Sequence, residues 1–353
     1  MMNNDFETLM DEAYDLPDGL AKLEILEAAA RYADSEGNIE QGYEARAEIV
    51  QTAIFHGYPL KALIAFSWQL GQYDRSPESF ESFNLMWSYK WIVGQISHFP
   101  EIPLHKIEEL VEDLGKRYKE HGYNERTYFY YRFRTAMDLG QMDKAQNYIE
   151  LFQKADRDHM SDCDACEQNQ IVQFHSLLGE HEKALEAAKP ILSGDMSCAE
   201  VPHITLAYLL LPMLELQSEQ EARKTHIRGY RLIKGKRDFV ETIGRHMAFL
   251  ALTDVKKGID LFEHHLAMAQ DHEDPFHRMI FYLYSAKLLK QLAASGSKYR
   301  PRLPVSFLGT EEDTSLDSLA DHFAQLALSS AQQYDTRNGN SYYMETAEAV
   351  LRP

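Results

Sequence analysis

The residues best suited to chemistry lie close together in the middle of the chain. Cys163 and Cys166 form a Cys-x-x-Cys pair, Cys198 follows 35 positions after Cys163, and His203 comes five after that. Two thiolates three residues apart can reach the same ion, and a third thiolate with one imidazole completes a tetrahedral Cys₃His set of the kind that holds structural zinc. Such a set has no open position for water, so it points to stapling rather than hydrolysis. Other readings are free buried cysteines, a redox pair, and a fourth ligand such as His159 or His175. The three cysteines are the only ones in the chain. An odd, clustered set does not suit a disulfide-stapled secreted fold, which favours a reducing compartment.

Other catalytic signatures are missing. The sequence has no Gly-rich phosphate loop, no Gly-x-Ser-x-Gly elbow and no His-Glu-x-x-His helix. Its 15 histidines include His264, His265, His272 and His277, but this spacing does not put three on one helical face. They read as scattered surface and core residues. The expectation is therefore a non-enzymatic chain.

Elements with helical periodicity must position these groups. Apolar residues recur at i, i+3 and i+4, as in Leu110, Leu114 and Tyr118, and alternating β-branched runs bounded by hairpin turns are absent. One turn recurs: Leu139-Gly140-Gln141-Met142-Asp143-Lys144-Ala145, then Leu178-Gly179-Glu180-His181-Glu182-Lys183-Ala184, then Leu216-Gln217-Ser218-Glu219-Gln220-Glu221-Ala222. The alanines are 39 and 38 positions apart, each five after the turn residue. Glycine supplies a left-handed cap to the first helix, acidic residues favour the start of the second, and alanine lets the two approach.

This pattern resembles the tetratricopeptide (TPR) repeat, most clearly over 122–234, with Ile149 and Ala188 at the next small or aromatic position. Weaker echoes occur at His56–Ala62, Pro103–Ile107 and Thr253–Ile259. The period is nearer 38 than 34 residues, and the early Trp and closing Pro are mostly missing. The resemblance implies an all-α fold: a right-handed α-α superhelix (TPR-like solenoid) of about six to seven helix pairs. Helix pairs are expected over 38–72, 80–120, 122–156, 161–193, 199–234 and 237–271. Residues 1–37 would form N-terminal capping helices, and 38–294 the repeats. Residues 295–353 would supply a loop (295–314), a C-terminal capping helix and a polar tail that frays from Asp335. Pro59, Pro103, Pro202 and Pro275 sit near helix starts, whereas Pro212 should kink the helix around it.

The resemblance further implies an interaction protein whose first helices line a groove for a peptide or protein partner. In the TPR register the groove-facing candidates are Tyr130 and Arg134, then Asn169 and Gln173. Trp87, Tyr89, Trp91 and Phe99 read as aromatics of one helix. The run Tyr128-Phe129-Tyr130-Tyr131-Arg132-Phe133-Arg134 cannot all point inward, because successive residues turn by about 100°, and Tyr and Arg dominate binding hot spots. Alternatives are a peptide-sensing regulator similar to the Rap and PlcR group, or a metal-dependent enzyme using the Cys/His cluster. The residues before Ala21 are too few for a helix-turn-helix module.

The composition agrees. The 353 residues are 44% hydrophobic and 26% charged, within the range of soluble globular proteins. A net charge of −19, from 55 acidic and 36 basic residues, disfavours general nucleic-acid binding. The exception is Arg223–Arg237, with seven Lys/Arg and no acid. It is either a face compensating Glu215, Glu219 and Glu221 or a docking patch for an anionic partner. The longest apolar run, Ile204–Leu214, is too short to span a bilayer. The first residues carry no basic-then-apolar signal, so a cytoplasmic location is expected.

Overall fold

The computed structural model describes residues 5–308 and 315–352, and the end of the expected loop (309–314) lies outside the described residues. Among the described residues all regular structure is helical, with no strand. The chain divides into two compact units.

The first unit comprises Met1–Ser97 and His105–Tyr123. It holds α1 (Phe6–Asp15), α2 (Leu20–Glu36), α3 (Ile39–Ile54), α4 (Pro59–Arg75), α5 (Ser82–Ile96) and α6 (Leu104–Glu120). Its helix starts are dictated locally. Asp5 accepts from the Thr8 N–H at 3.0 Å, Asn38 from Gln41 at 3.1 Å, and Pro59 takes the first position of α4, where its missing N–H costs nothing. Helix α6 buries Ile107, Val111, Leu114 and Tyr118 along one face. The Tyr118 hydroxyl then donates to the Met86 carbonyl at 2.9 Å and Tyr89 to Asp113 at 2.7 Å, fixing α6 on α5. Phe99 does not share a helix with Trp87, Tyr89 and Trp91, because α5 ends at Ile96.

The second unit comprises His98–Leu104 and Asn124–Pro353. Its helices are α7 (Arg126–Asp138), α8 (Met142–Lys154), α9 (Asp164–Leu177), α10 (His181–Ser193), α11 (His203–Tyr208), α12 (Leu210–Glu215), α13 (Glu219–Ile233), α14 (Val240–Thr253) and α15 (Val255–Gln270). After them come α16 (Pro275–Ala294), α17 (Val305–Leu308), α18 (Leu316–Asn338) and α19 (Tyr342–Leu351). The recurring turn is built the same way three times. Gly140, Gly179 and Gln217 take left-handed φ of 68°, 72° and 57°, and Gln217 is the one non-glycine with positive φ among the described residues. At each turn the next residue's N–H reaches back five positions: Gln141 to Ala136, Glu180 to His175 and Ser218 to Met213, at 2.8–2.9 Å. This is the Schellman pattern that satisfies a helix's last carbonyls. Ala145, Ala184 and Ala222 are completely buried, so the five-residue spacing marks the closest approach within each pair.

Pro212 interrupts its helix as expected of a kink, dividing α11 from α12 at Leu209, which itself keeps right-handed helical dihedrals. Proline lacks the N–H that the Tyr208 carbonyl would accept. That carbonyl accepts the Ser176 hydroxyl instead, at 2.8 Å, so α9 compensates the break.

The C-terminal tail departs from expectation. Helix α18 runs on to Asn338, Gly339 turns the chain (φ 69°), and the buried Asp335 carboxylate caps α19 by accepting from the N–H groups of Tyr343 (2.9 Å) and Met344 (2.8 Å). Helix α19 then docks on the α7–α8 turn. Tyr343 donates to the Asp138 carbonyl and the Asn340 amide to the Leu139 carbonyl at 2.8 Å. These are carbonyls at the end of α7, which lack partners within their own helix. Nearby, Tyr334 donates to the His98 carbonyl at 2.6 Å and Arg337 to that of Phe99 at 2.9 Å. The polar tail is ordered by contacts some 200 residues away in sequence, which no local pattern announces.

Candidate metal centre and partner-facing groups

The three cysteines meet. Cys163 is the N-cap of α9 and its sulfur accepts from the Cys166 N–H at 3.2 Å. Cys198 comes from the α10–α11 loop, held by its N–H donating to the Val201 carbonyl at 2.9 Å. The Cys166 and Cys198 sulfurs are 3.3 Å apart, and all three lie within 4.8 Å of one another. Ala165, Ile191 and Val201 form the buried floor. Hydrogen bonds from Cys163 and Cys166, helped by the Glu200 and Val201 N–H groups, hold the Cys198 thiol far below its ordinary range. The same sharing pushes Cys166 up.

The donor set fits a thiophilic ion. Three sulfurs bound at about 2.3 Å to tetrahedral zinc would be about 3.8 Å apart, close to the observed grouping. Zinc there would replace the shared protons and fasten α9 to the loop before α11. His203 is not part of this group. Its ring stacks on Phe239, with centroids 5.4 Å apart, and its buried Nδ1 has no hydrogen-bond partner. Of the other candidates, His159 is exposed and His175 is bound to Glu180 at 2.7 Å. The sequence-proposed quartet is thus three cysteines with His203 outside, because α11 begins by directing residue 203 against Phe239.

The four groove candidates separate into two kinds. Tyr130 is 1% exposed, its ring packed on Phe152 (5.2 Å) and its hydroxyl directed to the Cys166 carbonyl. Asn169 is buried and accepts from Thr205 at 2.7 Å. These two are interior residues, and each joins neighbouring first helices. Arg134 and Gln173, one turn further along, are half-buried. Arg134 lies over the Tyr130 and Tyr131 rings at 5.8 and 5.2 Å. Neither Arg134 nor Gln173 has a hydrogen bond or ion pair among the described residues. The row continues on α11 and α14, where Arg245 pairs with Glu241 and covers the Tyr208 ring at 3.6 Å. No periodicity argument had singled out Tyr208, Glu241 or Arg245.

The basic segment is partly compensated. Arg223 pairs with Glu219, Lys224 with Glu221 and Arg237 with Asp271, each at 2.7 Å. Arg228 and Arg231 remain exposed and line an open hollow of about 590 Å³ with Cys198 and His203. A further cluster lay beyond sequence reading: His98, Asp274 and His277 converge from distant parts of the chain. No helix among the described residues is long and apolar enough to cross a membrane.

No family model and no curated relative matches the chain. Among solved structures, the crystal structure of the APC/C hetero-tetramer Cut9-Hcn1 is similar over 99% of this chain, with a TM-score of 0.52 and 13% identity. This chain spans 65% of the length of that one. The likeness establishes the fold, a TPR-like stack of helix pairs.

Proposed function

We propose that the chain is a non-catalytic, cytoplasmic interaction protein of regulatory type. In this reading the first-helix face running through Arg134, Gln173 and Arg245 takes an extended peptide or protein segment, and zinc held by the three cysteines stiffens the same region. The observation that carries the binding reading is Arg134. Its half-buried guanidinium lies above two aromatic rings and makes no hydrogen bond among the described residues, although Asp138 and Asp162 stabilise its charge from a distance. A peptide carboxylate or carbonyl would supply that hydrogen bond, as the Gln173 amide would for peptide N–H and C=O groups. The matched fold occurs in a chain that assembles into a hetero-tetramer, which favours a protein partner.

Arg134→Ala with Gln173→Ala should leave the melting temperature nearly unchanged while abolishing cross-linked capture of the partner from native lysate. Retained capture would refute the binding reading. The metal reading expects about one zinc per chain, lost in Cys163→Ser or Cys198→Ser, with chelator lowering the melting temperature of wild type only. Protein purified without chelator and free of metal refutes it. One observation favours the alternative of a metal-dependent enzyme: among the described residues no fourth protein ligand joins the sulfurs, which leaves a position for water. If His203→Ala leaves metal retention unchanged, that position is water's. If retention weakens, the site closes on binding and is structural.

A further inference from the structure

We propose that His98, Asp274 and His277 form a second metal site, independent of the cysteines, for one divalent transition ion of the zinc class. His98 lies in the segment between α5 and α6 that belongs to the second unit, while Asp274 and His277 open α16. Their ligand atoms lie within 4.8 Å of one another although the chain separates His98 from Asp274 by 176 residues.

The carboxylate is fixed in aim. Asp274 is 1% exposed, and its Oδ1 accepts from the Phe276 (2.9 Å) and His277 (3.1 Å) N–H groups as the cap of α16. Its own N–H donates to His272 Nδ1 at 3.1 Å. Oδ2 is left to face two imidazoles: His98 Nδ1 at 2.6 Å and His277 Nδ1 at 3.7 Å. The first is a hydrogen bond. The second is too long for one, and His277 Nδ1 is buried without a hydrogen-bond partner.

With Nδ1 as the unprotonated nitrogen of His277, two electron-pair donors face each other across a gap there, and a cation between them resolves the mismatch. Ligands bound at about 2.0–2.1 Å to a tetrahedral ion stand about 3.3 Å apart, and the observed 2.6 and 3.7 Å bracket that value. Two imidazoles and one carboxylate suit zinc, and also cobalt as its spectroscopic substitute. The surroundings hold the ligands in place. The His98 ring stacks on Phe276 with centroids 4.8 Å apart, and its carbonyl accepts from Tyr334 at 2.6 Å. Binding replaces the proton shared by His98 and Asp274, which leaves to solvent. The ion then ties the 98–104 segment to the start of α16.

The test uses the full chain with Cys163→Ser, Cys166→Ser and Cys198→Ser, stripped of metal and titrated with cobalt(II) alone. The expected result is about one equivalent bound with proton release, showing weak visible bands and no thiolate charge-transfer band. His98→Ala or His277→Ala should remove that equivalent, whereas His159→Ala should not. A folded triple-serine chain that takes up no cobalt, or uptake indifferent to both histidine changes, overturns the proposal. If the triple-serine chain does not fold, the wild-type chain is titrated instead. An equivalent lacking the thiolate band and lost in His277→Ala supports the site, and uptake confined to the thiolate-ligated equivalent overturns it.

Discussion

Replacing Gly140 by alanine tests whether α19 is seated on the α7–α8 turn, and Gly179→Ala is its internal control. Both glycines occupy the same repeat position with φ of 68° and 72°. A left-handed alanine costs about 1–2 kcal/mol, offset by about 0.4–1 kcal/mol from the stiffer unfolded chain. At Gly179 a new Cβ meets nothing within 4 Å, so the net loss should be about 1 kcal/mol. At Gly140 the same carbon would lie 2.6 Å from Cβ and Cγ of Tyr342. Cβ is fixed to its backbone, so α19 itself must move away. That removes the Asn340–Leu139 and Tyr343–Asp138 hydrogen bonds, about 1 kcal/mol each, together with part of the tyrosine burial, about 1–2 kcal/mol. Gly140→Ala should therefore cost about 3–5 kcal/mol in all. Urea denaturation gives both losses, and amide hydrogen exchange reports on α19 directly. Equal losses at the two glycines, or unchanged protection of α19 in Gly140→Ala, would refute the docking argument.

Three other outcomes follow from the same structure. Gln217→Gly should stabilise the chain by about 0.5–1 kcal/mol in urea denaturation, because glutamine bears the left-handed strain that glycine avoids at the two sister turns. Tyr130→Ala should cost about 3–5 kcal/mol by the same measurement, since its ring is fully packed, whereas Arg134→Ala should change stability little. Acid should weaken the fold through buried neutral histidines. Burial pushes His226 and His265 down to about 4, and His246, whose Nδ1 meets that of His226 at 2.9 Å, well below its ordinary value. The unfolded chain takes up these protons below about pH 6.5. The contribution is therefore full above that pH and is lost as pH falls through the depressed values, about 3 kcal/mol each for His226 and His265 by pH 4. Melting temperature measured between those limits should fall less steeply in His226→Leu with His246→Leu.

The repeat was legible because its cause is local. A left-handed cap and a small residue five positions later are needed within one turn, so the chain displays them three times, and even Gln217 betrays itself by position. The meeting of the cysteines was legible for a related reason, since 35 residues is close to one period. The sequence did not show which way His203 turns, because that depends on Phe239, a residue of the next pair. Tyr130 and Asn169 were assigned to the groove by a register that is right for the helix and one turn off for the exposed face. Arg134 and Gln173 are the accessible members. Asp335 and the His98 cluster were hidden more deeply. A buried carboxylate capping a following helix reads as a polar tail, and partners 176 positions apart leave no periodic trace.

Stacked repeats ordinarily behave as a one-dimensional array, in which each unit touches only its neighbours and the ends melt first. The seat of α19 on the α7–α8 turn joins the last helix of the second unit to its first pair, so neither can leave that unit without breaking the contact. The second unit should then unfold as a single cooperative event rather than by stepwise loss of its end pairs. The same closure makes the number of helix pairs a fixed quantity. Inserting one more pair between α13 and α14 would lengthen the path between Gly140 and Tyr342 and force them apart, so the tolerance of repeat proteins to gain or loss of units should be absent here.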